Sequence, residues 1–92
     1  MEFKIGEVII TKAIQNECAE TPSFESQLLN CLFRHCSSDW GDLDKSDKQK
    51  NDDAVKNNDD RILSAYIING AKIYIITDEE RLYTHMMFAD DY

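Results

Sequence analysis

Residues 61–77 read RILSAYIINGAKIYIIT, and this stretch decides the fold. Two runs rich in Ile and Tyr are separated by Asn69-Gly70, a dipeptide that accepts positive φ at both positions of a tight turn. A β-hairpin follows. With Asn69 and Gly70 as the loop residues, Ile68 faces Ala71, Tyr66 faces Ile73 and Ser64 faces Ile75. Downstream, Thr77-Asp78-Glu79-Glu80 is a cap and acidic turn, and residues 82–88, LYTHMMF, have the length and composition of a last strand.

Working outward toward the N-terminus, Gly6 to Thr11 (GEVIIT) is a short β-branched run that suits a strand. Thr11 can cap a short helix reaching Cys18 or Glu20, and Thr21-Pro22 signals a second helix, because Pro tolerates the first turn where no amide donor is needed. Phe24, Leu28, Leu29, Leu32, Phe33 and Cys36 recur at helical spacing and give that helix, running to about His35, one buried face. Ser46 with Gln49 forms a capping box for a third helix to about Asn57. Its only apolar residues are Ala54 and Val55, so it lies on the surface or faces a partner, and the Asp/Lys/Asn tract from Asp44 to Asp60 also suits a mobile segment. The expected fold is α+β: one domain over residues 1–92, with a small antiparallel sheet of three to four strands and two to three helices.

The 92 residues carry 18 Asp and Glu against 10 Lys and Arg, a net charge of −8, which repels nucleic acid. Acid is concentrated at both ends of the hairpin region. Residues 39–60 hold eight Asp and four Lys, residues 78–92 hold five acids and one Arg, and residues 61–77 between them carry only Arg61 and Lys72. Such a pattern serves solubility, or forms a directed face for a basic partner if the fold unites the two segments. No run approaches the roughly 20 apolar residues of a membrane span, and Met1 to Thr11 lacks the features of a secretory signal. A cytoplasmic protein is expected, with its three cysteines reduced, either packed or metal-bound.

Cys31 and His35, four apart on the second helix, can reach one ion, and their ligand types suit zinc. Asp39 and Asp42 leave the same helix through a turn in which Gly41 lets the backbone bend. The bland alternatives are equally definite: Cys36 packs in the core, Asp39 caps a turn, His35 bonds near a helix end whose dipole favours its protonated form, and Trp40 anchors the loop. Ser37 and Ser38 lie near His35 without a nucleophile elbow, a pairing of Cys18 with His85 is open, and there is no glycine-rich phosphate loop. Met86, Met87 and Phe88 suit either a core strand or an adaptable contact surface. No complete catalytic constellation is present, so the chain is expected to act by binding.

The run RHCSSDWGDL (residues 34–43), with Asn51-Asp52, Arg61 to Tyr66, Ile75-Ile76-Thr77 and Asp91-Tyr92, resembles the small plasmid-related proteins of bacterial mobile elements. Their pattern is R-H-x-S-G-D-W-G-D, N-D, R-I-L-S-A-Y, W-I-I-T-E-A-D-R and a terminal E-Y, and the match covers about 60 residues from Arg34 onward. Ser38 stands where the pattern has Gly, Tyr74 where it has Trp, and Asp78 to Arg81 where it has E-A-D-R, so a less tightly turned loop is expected at Ser38. Some proteins of this origin are similar to phage anti-CRISPR inhibitors of the type II CRISPR nuclease, including a zinc-containing member.

The resemblance implies zinc on His35, Asp39 and Asp42, with Cys31 added as fourth ligand from spacing. It also implies an acidic inhibitor that occupies a positively charged channel of a host defence nuclease, with Asp44, Asp47, Asp52, Asp53, Asp59 and Asp60 facing the partner. The alternatives are a metal-dependent enzyme or accessory subunit in DNA modification or restriction, and a structural or regulatory plasmid protein.

Overall fold

A computed structural model describes residues 2–92 of the chain. The elements in order are β1 (Glu7–Ile10), α1 (Lys12–Glu20), α2 (Pro22–Cys36), α3 (Lys45–Asn57), β2 (Ile62–Ile68), β3 (Ala71–Thr77), β4 (Tyr83–Phe88) and a 3-10 turn at Ala89–Asp91. The α+β expectation holds, and the hairpin register is the one the Asn-Gly turn dictates: Ile68 opposite Ala71, Tyr66 opposite Ile73 and Ser64 opposite Ile75. Asn69 (φ 51°) and Gly70 (φ 81°) both take positive φ.

The sheet order is β1-β4-β3-β2. Strands β2, β3 and β4 form an antiparallel meander, while β1 joins β4 in parallel and makes the sheet mixed, a refinement of the antiparallel expectation. A parallel neighbour needs a long crossover, and everything between β1 and β4 supplies it. No helix among the described residues is long and apolar enough to cross a membrane.

Helices α1 and α2 cover one face of the sheet. Ile14, Phe24, Leu28 and Cys31 meet Tyr66, Ile68, Ile73, Ile75 and Met86 in the main core. A smaller core of Trp40, Ala54 and Ile62, with Phe3, Leu43 and Val55 against it, lies under α3. The buried stripe of α2 is Phe24, Leu28, Cys31, His35 and Cys36. Leu29 and Phe33, expected inside, are instead exposed, Phe33 at 71%. Hydrophobic spacing misplaced the face because a histidine and a cysteine occupy two turns of it.

Capping agrees in part. Thr11 Oγ1 accepts from the Ile14 amide at 3.3 Å, as its hydroxyl predicts. Thr21 makes no such side-chain bond. The N-cap of α3 is Asp44, accepting from the Asp47 amide at 2.7 Å, not Ser46, and Gln49 bonds forward to Asp53 instead of back to Ser46. The Asp44–Asp60 tract is helical through Asn57 and ends on Asn58 in the left-handed conformation (φ 52°).

The turn leaving α2 is tight despite Ser38. Its φ is 61°, and the Ser38 and Asp39 amides donate to the His35 and Arg34 carbonyls at 3.1 and 2.9 Å, the two bonds of a Schellman C-cap. A serine holds the conformation that suits glycine, correcting the expected loosening. Gly41 is required in a second sense: at φ 73°, an added Cβ would lie 2.0 Å from the Ala65 carbonyl oxygen.

Candidate functional site

The residues singled out by the sequence fall into three places. His35 is fully buried, with Nδ1 2.5 Å from Ser64 Oγ and Nε2 2.9 Å from Thr77 Oγ1. Thr77 Oγ1 lies 2.7 Å from Thr84 Oγ1, which donates to the Ile5 carbonyl at 2.7 Å. Proton counting orients the chain. Thr84 spends its proton on Ile5, so it accepts from Thr77, and Thr77 in turn accepts from Nε2–H. Nδ1 is then the acceptor for Ser64, and a neutral imidazole satisfies every group. Burial lowers the His35 pKa to about 4, which corrects the expectation that the helix end favours its protonated form.

The other proposed zinc ligands lie elsewhere. Cys31 is packed in the main core, where burial pushes its thiol pKa up. Asp39 is held by Arg34 in a two-pronged ion pair at 2.8 and 3.2 Å, which draws its carboxyl below the usual range. Asp42 is exposed, 3.9 Å from Lys72 Nζ. Among the described residues no three His, Cys, Asp or Glu side chains converge as a metal group. With both His35 nitrogens engaged inside the protein, these four residues do not fit a zinc ion in this arrangement. Cys18 and His85 also stay apart: Cys18 packs on the helix side of the sheet, whereas His85 alternates with the inward-facing Thr84 and Met86 and so lies on the other face.

Instead, the Arg34–Leu43 segment builds an edge. The Ala65 amide donates to the Trp40 carbonyl at 3.1 Å and the Asp42 amide to the Ala65 carbonyl at 2.7 Å, a single bridge of parallel pairing along β2. Asn51 of α3 completes it, its amide donating to the Leu63 carbonyl at 2.7 Å and accepting from the Leu63 amide at 3.2 Å. Trp40 is buried and donates to Asp52 at 2.9 Å, locking loop to helix. The outer edge of β2 is thereby covered at Leu63 and Ala65.

The acidic segments are joined by a residue that sequence reasoning passed over. Arg81, 8% exposed and at φ 62°, sends Nη1 to the carbonyls of Asp60 (2.6 Å) and Asp78 (2.9 Å), and Nη2 to those of Ala54 (3.1 Å) and Asp59 (3.0 Å). One cation thus caps the C-terminal end of α3 and ties it to the β3–β4 turn. Asp78 secures that turn by accepting from the Leu82 and Tyr83 amides at 2.8 and 3.1 Å. The signal in the sequence is a lone arginine within an acidic turn, at the last position of the E-A-D-R stretch of the resembled pattern.

As a result Asp60, Asp78 and Glu79 line one hollow of about 320 Å³ over Ile76, on the sheet face opposite α1 and α2. It shares Asp60 and Arg61 with an adjoining groove of about 380 Å³, walled by Asp47 and Lys50 of α3 and floored by Leu63 and Tyr74. Tyr92 closes its far side, edge-on to Tyr74 at 5.6 Å with the Arg61 guanidinium 5.8 Å from its ring centre. Four carboxylates against two cations rim a floor of aliphatic and aromatic side chains.

Of the six carboxylates expected to meet a partner, Asp44 and Asp52 serve as cap and Trp40 acceptor, and Asp53 bonds Gln49. Asp59 lends its carbonyl to Arg81, and Asp47 and Asp60 line the grooves. All six remain exposed. Comparison with protein-family models, with curated proteins and with solved structures finds no match.

Proposed function

We propose that this protein is a non-enzymatic inhibitor of a nucleic-acid-binding defence nuclease, of the type II CRISPR effector class. It would place its acidic double groove over a cationic surface that otherwise holds target DNA. The observation that carries this reading is the Arg81 clasp, which converts two acidic segments distant in sequence into one rim. Carboxylates gathered at one end of a small rigid body generate a directed field, whereas the same charge spread evenly would serve solubility alone. The resemblance over Arg34 to Tyr92 supplies the class of target, and the RNA-guided nucleases of that class hold their heteroduplex in a positively charged channel. The apolar floor of Leu63, Tyr74 and Ile76 gives the complex contact area beneath the charged rim.

The test is binding of the purified protein to a type II effector loaded with guide RNA, at several salt concentrations, alongside target DNA capture. The reading requires saturable binding that weakens steeply with salt and prevents DNA capture. Salt-independent binding, or DNA capture unaffected by saturating protein, would refute it.

A further inference from the structure

The two edges of the sheet are treated oppositely. That of β2 is covered at Leu63 and Ala65 by Asn51 and the Trp40–Asp42 segment, whereas β1 carries three consecutive large aliphatic residues, Val8, Ile9 and Ile10, each exposed at 37–38%. The Glu7 amide donates to the Leu82 carbonyl at 2.9 Å and the Thr11 amide to the Met86 carbonyl at 3.2 Å, so the odd-numbered residues bond toward β4. Alternation turns the amides and carbonyls of Val8 and Ile10 outward. Natural edges are guarded by charge, proline or cover, and this one has only Glu7.

We infer that β1 pairs antiparallel with β1 of a second copy, making one continuous eight-stranded sheet. The register is determined by the outward groups: Val8 opposite Ile10 of the second copy in a doubly hydrogen-bonded pair, the same pair repeated by symmetry, and Ile9 facing its counterpart on the two-fold axis. This alignment satisfies all four outward donors and four outward acceptors, and stacks aliphatic side chains on both faces.

Charge selects a second copy at this edge over any other surface of the chain. Residues 2–16 contain Glu2, Glu7, Lys4 and Lys12, a net of zero, while the central acidic segment lies on the far, β2 side of the sheet. Two molecules of charge −8 repel least when they meet through their neutral edges. The grooves of both copies stay open, so the pairing is independent of the inhibitor reading.

Sedimentation equilibrium from about 1 μM to about 1 mM covers the range in which an interface smaller than the standard size forms. The wild type should show a monomer–dimer equilibrium, and hydrogen exchange should slow at the Val8 and Ile10 amides as concentration rises. Val8→Pro removes an outward donor while sparing every bond to β4, and Ile9→Lys puts like charges on the axis. Each should weaken the dimer at least tenfold, with circular dichroism and melting showing that the monomer is intact. A wild type that remains monomeric at 1 mM, or a dimer that survives both substitutions, overturns the inference. So does a strand from another protein that pairs here while copies of this chain do not.

Discussion

Arg81 Nη1 donates to the main-chain carbonyl of Asp60 across 2.6 Å, and through this bond the end of α3 is held to the turn between β3 and β4. The guanidinium is buried among carbonyls with no carboxylate of the described residues paired to it, so its charge is balanced by dipoles, four of them within 3.1 Å. Arg81→Met keeps much of the volume but orphans those carbonyls. A loss of about 3 kcal/mol is expected, since bonds to a charged donor are worth roughly 1.5–3 kcal/mol each but share one side chain. Arg81→Lys, lacking the planar fork, should recover only part of it. Urea denaturation checks both, and a loss below about 1 kcal/mol for Arg81→Met would show that the clasp is not structural.

His35 makes stability depend on pH with a definite sign. Its ordinary pKa of 6.5 falls to about 4 in the fold through burial, so between these values the unfolded chain binds a proton that the folded chain refuses. Stability is therefore full above pH 6.5 and declines as pH falls toward 4, by about 3 kcal/mol in all. His35→Gln should be less stable at pH 7, having lost part of the Ser64–Thr77 relay, and should lack the slope between pH 5 and 6.5. Chemical denaturation across that interval measures the slope; an unchanged slope in the variant would assign it to other groups.

Asn51 acts as a strand in miniature, pairing both main-chain groups of Leu63. Asn51→Leu should cost about 2–3 kcal/mol, the loss of two bonds that leave partly buried partners unsatisfied. It should also expose the β2 edge and promote aggregation on concentration. Asn51→Asp retains an acceptor for the Leu63 amide but sets a carboxylate against the Leu63 carbonyl, and should be no better. Thermal melting with light scattering reads both effects.

How far the fold was legible depended on the range of the interaction. The hairpin was readable to the residue because Asn69-Gly70 permits one turn and the turn sets the register. The partner of β1 was not, because its pairing with β4 is settled by crossover geometry across the whole chain. On α2, apolar spacing favoured Leu29 and Phe33, whereas the buried stripe runs through Cys31 and His35. A clue lay in the strands: Ser64, Thr77 and Thr84 occupy inward positions among isoleucines, tyrosine and methionine, and buried hydroxyls need a polar partner. His35 is that partner, so the residue that read as a metal ligand belongs to a buried relay joining helix and sheet. Arg81 was illegible because its acceptors are carbonyls, which every residue has.

Ser38 offers a stabilising substitution. It holds φ 61° in the Schellman turn after α2, where side chains other than glycine cost roughly 1 kcal/mol. Ser38→Gly should raise stability by a few tenths to about 1 kcal/mol, the gain being reduced by the greater freedom of glycine in the unfolded chain. A decrease in the denaturation midpoint would mean that the Ser38 side chain contributes more than its backbone conformation costs.

Neutralising the rim separates electrostatics from architecture. Asp60 Oδ1 accepts from the Arg61 amide at 2.7 Å, and Asp78 Oδ1 caps two amides, so Asn is the appropriate replacement at both because its oxygen keeps those bonds. Asp47 and Glu79 line the grooves without such duties toward the fold and can become Asn and Gln. The fourfold variant should melt within a few degrees of the wild type. Rim charges act mainly on the encounter rate, so association with the proposed nuclease target should slow by about tenfold or more at low salt, with a smaller change in dissociation, and the difference should shrink as salt rises. Charge removed instead from Glu17, Glu20 and Glu25, on the helix-covered side, should leave association nearly unaltered, because direction and not total charge is what the clasp creates. Equal slowing by both sets would reduce the effect to net charge and leave the grooves without a role.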